Sequence, residues 1–99
     1  MPEYILTKGS RGKKYHIITP DKKVVKFGQA GASDFTINKD PKRKASYLAR
    51  HKSRENWSKS GIHTAGFWSR WLLWNLPTIS QSINDIEKRF DIHIIKKRD

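Results

Sequence analysis

The side chains of this 99-residue chain best equipped for chemistry are four histidines, His16, His51, His63 and His93, and the acidic pair Asp85 and Glu87. Imidazoles hold a metal when two of them stand a few residues apart and further nitrogen, sulfur or carboxylate ligands complete the shell. No two of these histidines are three to five positions apart, and the chain has no cysteine. The histidines therefore read as titratable surface groups, and neither a metal nor another cofactor is expected. His51, Asn56 and His63 follow the order of a His-Asn-His nuclease. That chemistry needs a base and metal ligands gathered around a hairpin and a helix, whereas these three fall on a helix end and a loop with no acidic cluster beside them. Asp85 and Glu87 lie two positions apart on a helix and so diverge. No serine sits in a nucleophile elbow. The expectation is a protein that is not an enzyme.

Charge is the stronger signal. Twenty-one Lys and Arg stand against nine Asp and Glu, for a formal charge of +12. So cationic a small chain favours polyanionic partners, whether nucleic acid, an anionic membrane or an acidic protein surface, and its binding will weaken with salt. The densest run is Lys39, Lys42, Arg43, Lys44, Arg50, Lys52 and Arg54, set against Asp40 and Glu55 alone. These cations are the candidate partner-binding residues, with Arg70 a further candidate. The Thr64-Ala65-Gly66 stretch, with Lys59 and His63 near, is a secondary place where a helix start would suit a phosphate.

The elements that must position these residues can be read in turn. Residues 4–8 and 13–19 are rich in β-branched and aromatic residues around a Gly9-Ser10-Arg11-Gly12 turn, and Pro20-Asp21-Lys22-Lys23 leads into Val24-Val25-Lys26-Phe27. This spacing predicts a β-meander within residues 1–28. From Gly28 to Asn38 a loop is expected, anchored by Phe35 and Ile37. Asp40 as N-cap and Pro41 at the first helical position open a basic helix over 40–53 whose large apolar residues are Tyr47 and Leu48. Trp57 should fold back onto the core from the polar segment that follows.

Thr64 to Pro77 holds three of the four tryptophans. Wound as one α-helix over 64–75, it carries Phe67, Trp71 and Trp74 on one stripe and Trp68 and Leu72 on a second, with Ser69 and Arg70 as a narrow polar edge. These five apolar residues are the expected structural core. Thr64 is the N-cap, Asn75 is suited to a left-handed C-terminal position, and Pro77 ends the helix. Thr78 with Gln81 then makes a capping box for an amphipathic helix over 79–90, with Ile79, Ile83, Ile86 and Phe90 inward. Ile92, Ile94 and Ile95 form a possible last strand within 91–99, before the basic end Lys96-Lys97-Arg98.

The order βββαααβ predicts one α+β domain over 1–99, a small antiparallel sheet with three short helices against it. The longest apolar run, Trp71 to Trp74, is too short to span a membrane, and the first residues lack a signal peptide's apolar region, so a soluble intracellular protein is expected.

The middle of the chain resembles a family of small, basic, largely uncharacterised proteins of nucleocytoplasmic large DNA viruses, the algal and amoebal giant viruses. The likeness covers about residues 24–80. It rests on Lys26-Phe27-Gly28, Ser33-Asp34-Phe35-Thr36, Lys39-Asp40-Pro41, Tyr47 with Arg50-His51-Lys52, and above all Thr64-Ala65-Gly66-Phe67-Trp68-Ser69-Arg70-Trp71-Leu72-Leu73-Trp74-Asn75. The resemblance implies a viral origin and supplies no catalytic residues. Together with the charge it suggests a minor capsid or virion protein, found in the particle and, during assembly, in the host cytoplasm or nucleus, whose basic face docks on acidic shell partners. The alternative is a non-specific DNA- or RNA-binding module.

Overall fold

Alternation builds the first half of the fold. The computed structural model describes residues 2–97, so Arg98 of the expected basic end lies outside the described residues. Strands β1 (Glu3–Lys8), β2 (Lys13–Ile18) and β3 (Val24–Gln29) form the expected meander. Side chains of a strand point alternately to its two faces, and Tyr4, Leu6, Ile17, Val25 and Phe27 are the inward set, all buried. The register sets Leu6 opposite Ile17 and Ile17 opposite Val25, so these residues make one continuous apolar row.

The last strand, β4 (His93–Lys96), joins the free edge of β1 and gives the strand order β3-β2-β1-β4. It runs parallel to β1, with Glu3 beside His93 and Leu6 beside Lys96. The expected antiparallel sheet is therefore a mixed one. Parallel pairing needs a long crossover. The helical second half of the chain supplies it by returning to the end of the sheet where β1 begins.

The stretch expected as a loop contains a short helix, α1 (Phe35–Asn38), because Asp34 caps it by accepting from the Thr36 amide at 2.8 Å. Asp34 is buried and also pairs with Lys14. Phe35 is the anchor that was expected, but Ile37 is not, being 62% exposed. Helix α2 (Pro41–His51) starts as predicted, with Asp40 accepting from the Lys42 amide at 2.9 Å. After a 3-10 turn at Lys59–Gly61 the chain enters α3 (Ala65–Trp68), capped by Thr64.

Here the structure departs from a single α-helix. Residues Ser69–Leu73 form a π turn, closed by the Trp74 amide donating to the Ser69 carbonyl at 3.0 Å. A wider turn advances each residue through a smaller angle than an α turn does, so side chains beyond it lose the α phase. Phe67, Trp68, Trp71 and Leu72 are buried as expected and Leu73 joins them, while Trp74 is left half-buried at the edge. Leu73 reaches β3 over Gly28, where φ is +75° and a Cβ would stand 2.9 Å from the leucine Cδ1. Asn75 does not take the left-handed conformation; it is buried, and its side-chain amide donates to Asp85 at 2.8 Å.

Helix α4 (Ile79–Phe90) has the predicted bounds, with Thr78 accepting from the Gln81 amide at 3.1 Å. Its Ile86 and Phe90 close the core, Phe90 lying 4.9 Å from Phe67 and 5.4 Å from Trp71 between ring centroids. Trp68 sits at the centre, against Tyr4 and Phe27, its indole N–H donating to the Ile62 carbonyl at 2.7 Å. Trp57 packs on this core from outside, as expected. The fold is the α+β class read from the sequence, with helices on one face of a four-stranded sheet.

Candidate polyanion interface

Helix phase decides which cations of α2 are free. Lys44, Tyr47 and His51 recur at three and four residues and share the inward side; Lys42, Arg43, Ser46 and Arg50 share the other. Lys44 Nζ donates to the Asn75 carbonyl at 2.7 Å and lies 5.1 Å from the centroid of the Phe35 ring. Burial, and then the nearby Arg70, hold its pKa below the usual lysine value. It is a strut between α2 and the tryptophan segment rather than an outward contact.

Arg70 is likewise taken up inside. Its guanidinium donates to the Trp74 carbonyl at 2.9 Å and stacks 4.2 Å from the Trp71 ring centroid, while Arg89 stacks on the same ring at 4.4 Å. Burial, and then Arg89, lower its pKa. The expectation that Arg70 joins the basic face is corrected by these contacts. Lys39 closes the α1–α2 junction, donating to the Thr36 carbonyl at 2.9 Å, and Lys52 and Arg54 are exposed beyond the end of α2.

Lys42, Arg43 and Arg50 are brought together. With Ser46, Trp74, Ala32 and Ser33 they line a cleft of about 460 Å³ to which no carboxylate among the described residues contributes. A second cleft shares Arg50, Trp74, Ala32 and Ser33 with the first and runs on past Tyr47, His51 and Glu55 toward Lys13.

Trp74, which lines both, belongs to a stack of three rings that continues into the second cleft. Trp74 lies on Tyr47 with centroids 4.5 Å apart and planes 7° from parallel, and Tyr47 lies on His51 at 4.2 Å and 24°. His51 Nδ1 is 3.1 Å from Glu55 Oε2, and Glu55 Oε1 accepts from the Trp57 indole at 2.9 Å. Burial, and then the Glu55 charge, push the Tyr47 hydroxyl up to about 12. Offset aromatic stacking of this kind contributes about 0.5–1.5 kcal/mol beyond buried area. Lys42, Arg43 and Arg50, which have no ion-pair partner among the described residues, are therefore mounted on a helix that this stack braces.

The residues considered for chemistry go elsewhere. His51 is held by Glu55, Asn56 donates to Ser60 at 2.7 Å, and His63 lies 3.8 Å from Asp21, so the three do not converge. Asp85 meets Asn75 and Arg89 while Glu87 accepts from the Ile94 amide at 2.9 Å, the divergence that their spacing predicts. At the Thr64-Ala65-Gly66 helix start the position suited to an anion is taken by Glu55, whose carboxyl carbon would lie 2.7 Å from a Cβ on Gly66. Among the described residues no group of three His, Cys, Asp or Glu is arranged to hold a metal, and no helix is long and apolar enough to cross a membrane.

Trp74 as a cleft wall was missed in the sequence because an α-helical phase places it in the core. Lys13 was missed because only strand pairing carries it to the second cleft.

Residues 5–51 match a family of unknown function (DUF5754). The match takes in just under half of the chain, from β1 to the end of α2. It thus includes Lys42, Arg43 and Arg50 and stops short of the tryptophan segment. No curated protein and no solved structure matches the chain.

Proposed function

We propose that the protein is a non-enzymatic structural component that docks on acidic surfaces of neighbouring proteins through Lys42, Arg43 and Arg50. On its resemblance to small basic proteins of the nucleocytoplasmic large DNA viruses, those neighbours are shell proteins and the protein is a minor capsid component of the particle, present in the host cytoplasm or nucleus during assembly. One observation carries the reading: three cations share a cleft with no acidic residue among the described residues, beside the Tyr47–Trp74 stack. Fixed charges without internal partners favour a complementary surface in rate and in register. The test is fractionation of disrupted virions. Co-fractionation with the shell is expected, with the triple variant Lys42→Glu, Arg43→Glu, Arg50→Glu lost from it; a protein absent from the shell fraction would sink the reading.

A second reading, non-specific binding of DNA or RNA phosphates, is favoured by the spread of exposed lysines beyond α2, at Lys13, Lys22, Lys23 and Lys26. Counterion release then requires log K to fall against log salt by about 0.9 for each phosphate neutralised. A duplex titration without binding at low salt removes it.

A further inference from the structure

A groove of about 640 Å³ lies at the end of the sheet away from the connection between β2 and β3, and the fold assembles it from residues distant in sequence. Lys8 stands opposite Tyr15 across β1 and β2, and Lys96 stands beside Leu6 across β1 and β4. The Lys97 amide donates to the Leu6 carbonyl at 2.8 Å, which ties the end of β4 to the same place. Lys13 from the start of β2 and Ile37 of α1 line the groove as well.

Two properties define what would fit. The first is charge. Among the described residues Asp34 is the only carboxylate in the lining, and it is buried and already engaged by Lys14 and by the Thr36 amide. Lys8, Lys13, Lys96 and Lys97 have no carboxylate partner among the described residues. The second is an aliphatic surface, presented by Ile37, one of the few large apolar side chains left exposed; Leu6, also in the lining, is buried.

We propose that this groove is a second docking site that seats an extended acidic segment of a partner protein, anchored by an aliphatic side chain against Ile37. The inference rests on the reading of the protein as a binder of acidic proteins and extends it with different residues. Charge complementarity calls for an anion, and the aliphatic wall separates the two anionic classes. Single nucleic-acid strands are held by flat rings on which bases stack, and duplexes by phosphate contacts that leave an aliphatic wall unused. Here Tyr15 is the only ring among the described residues of the lining, and it is already stacked on Phe27 with centroids 6.0 Å apart. A peptide offers both of the required groups, carboxylates for the ammonium rim and a branched side chain for the wall.

The test is fluorescence anisotropy on the full chain, with a labelled synthetic peptide carrying a pair of leucines flanked by glutamates and a second, all-glutamate peptide of equal charge. The leucine peptide is expected to bind about tenfold tighter or more, the order of effect that burying an aliphatic side chain produces. Ile37→Ser should abolish that preference, its fold checked by an unchanged melting transition. Lys96→Glu with Lys97→Glu should weaken both peptides. The α2 triple variant should keep the preference while losing virion retention, which separates this site from the cleft above. Equal binding of the two peptides, no effect of Ile37→Ser, or displacement of the leucine peptide by a lower concentration of oligodeoxythymidylate would overturn the proposal.

Discussion

The Tyr47 and Trp74 rings are parallel to within 7° and 4.5 Å apart, and with the Lys44 bond to the Asn75 carbonyl this contact joins the basic helix to the tryptophan segment. It forms because the π turn at Ser69–Leu73 takes Trp74 out of the core stripe. The same turn feeds Leu73 inward. The docking cleft and the core are thus two products of one irregularity in the helix.

Removing that contact should loosen the support of the cleft. Tyr47 is 7% exposed, and Tyr47→Ala is expected to cost about 3 kcal/mol as a large-to-small core substitution. Thermal unfolding should record a midpoint lower by more than about 10 °C.

Tyr47 also makes stability depend on alkaline pH. An acid whose pKa is raised by folding keeps its full contribution below the unfolded value and loses it as pH rises toward the folded value. With an ordinary tyrosine value of 10 and a folded value of about 12, stability should fall between pH 10 and 12. Burial raises Tyr4 and Tyr15 as well, so phenolate absorbance should show late titration overall, and its last step should disappear in Tyr47→Phe; an unchanged last step in that variant would contradict the burial assigned to Tyr47.

Trp71 is the keystone of a different contact, with Arg70 and Arg89 on its ring and its indole N–H donating to the Trp57 carbonyl at 2.9 Å. Trp71→Ala is expected to destabilise by about 3–5 kcal/mol. An unchanged melting temperature would mean that the central element is not the core.

Lys44 and Lys42 are two residues apart on one helix and should behave oppositely. Lys44→Ala removes the bond to the Asn75 carbonyl and the contact with Phe35, for an expected loss of about 1–2 kcal/mol. Lys42→Ala should leave stability within about 0.5 kcal/mol and weaken binding to acidic partners in a salt-dependent way. Chemical denaturation and a binding titration of both variants separate the two roles.

Asp34 is 2% exposed, caps α1 and faces Lys14. Asp34→Ala leaves a half-buried ammonium unpaired and a helix uncapped, and is expected to cost about 3 kcal/mol. Because α1 carries Ile37, the groove at the end of the sheet should lose its preference for aliphatic anchors in the same variant.

The sequence by itself determined whatever depends on nearest neighbours. Alternation marked the three meander strands, Asp40-Pro41 and Thr78 marked the starts of α2 and α4, and the apolar spacing of Ile79 to Phe90 gave the bounds of α4. Composition alone determined that the surface is cationic. Only the tertiary structure decided which cations are free, because Lys42 and Lys44 are chemically identical until a core lies beneath one of them. It also decided the parallel pairing of β4 with β1, since strand direction follows from where a long crossover returns. The π turn belongs to the same class. An α phase would have left Leu73 off β3 and Trp74 off Tyr47, and packing against both sides of the segment outweighs the local preference for a regular helix.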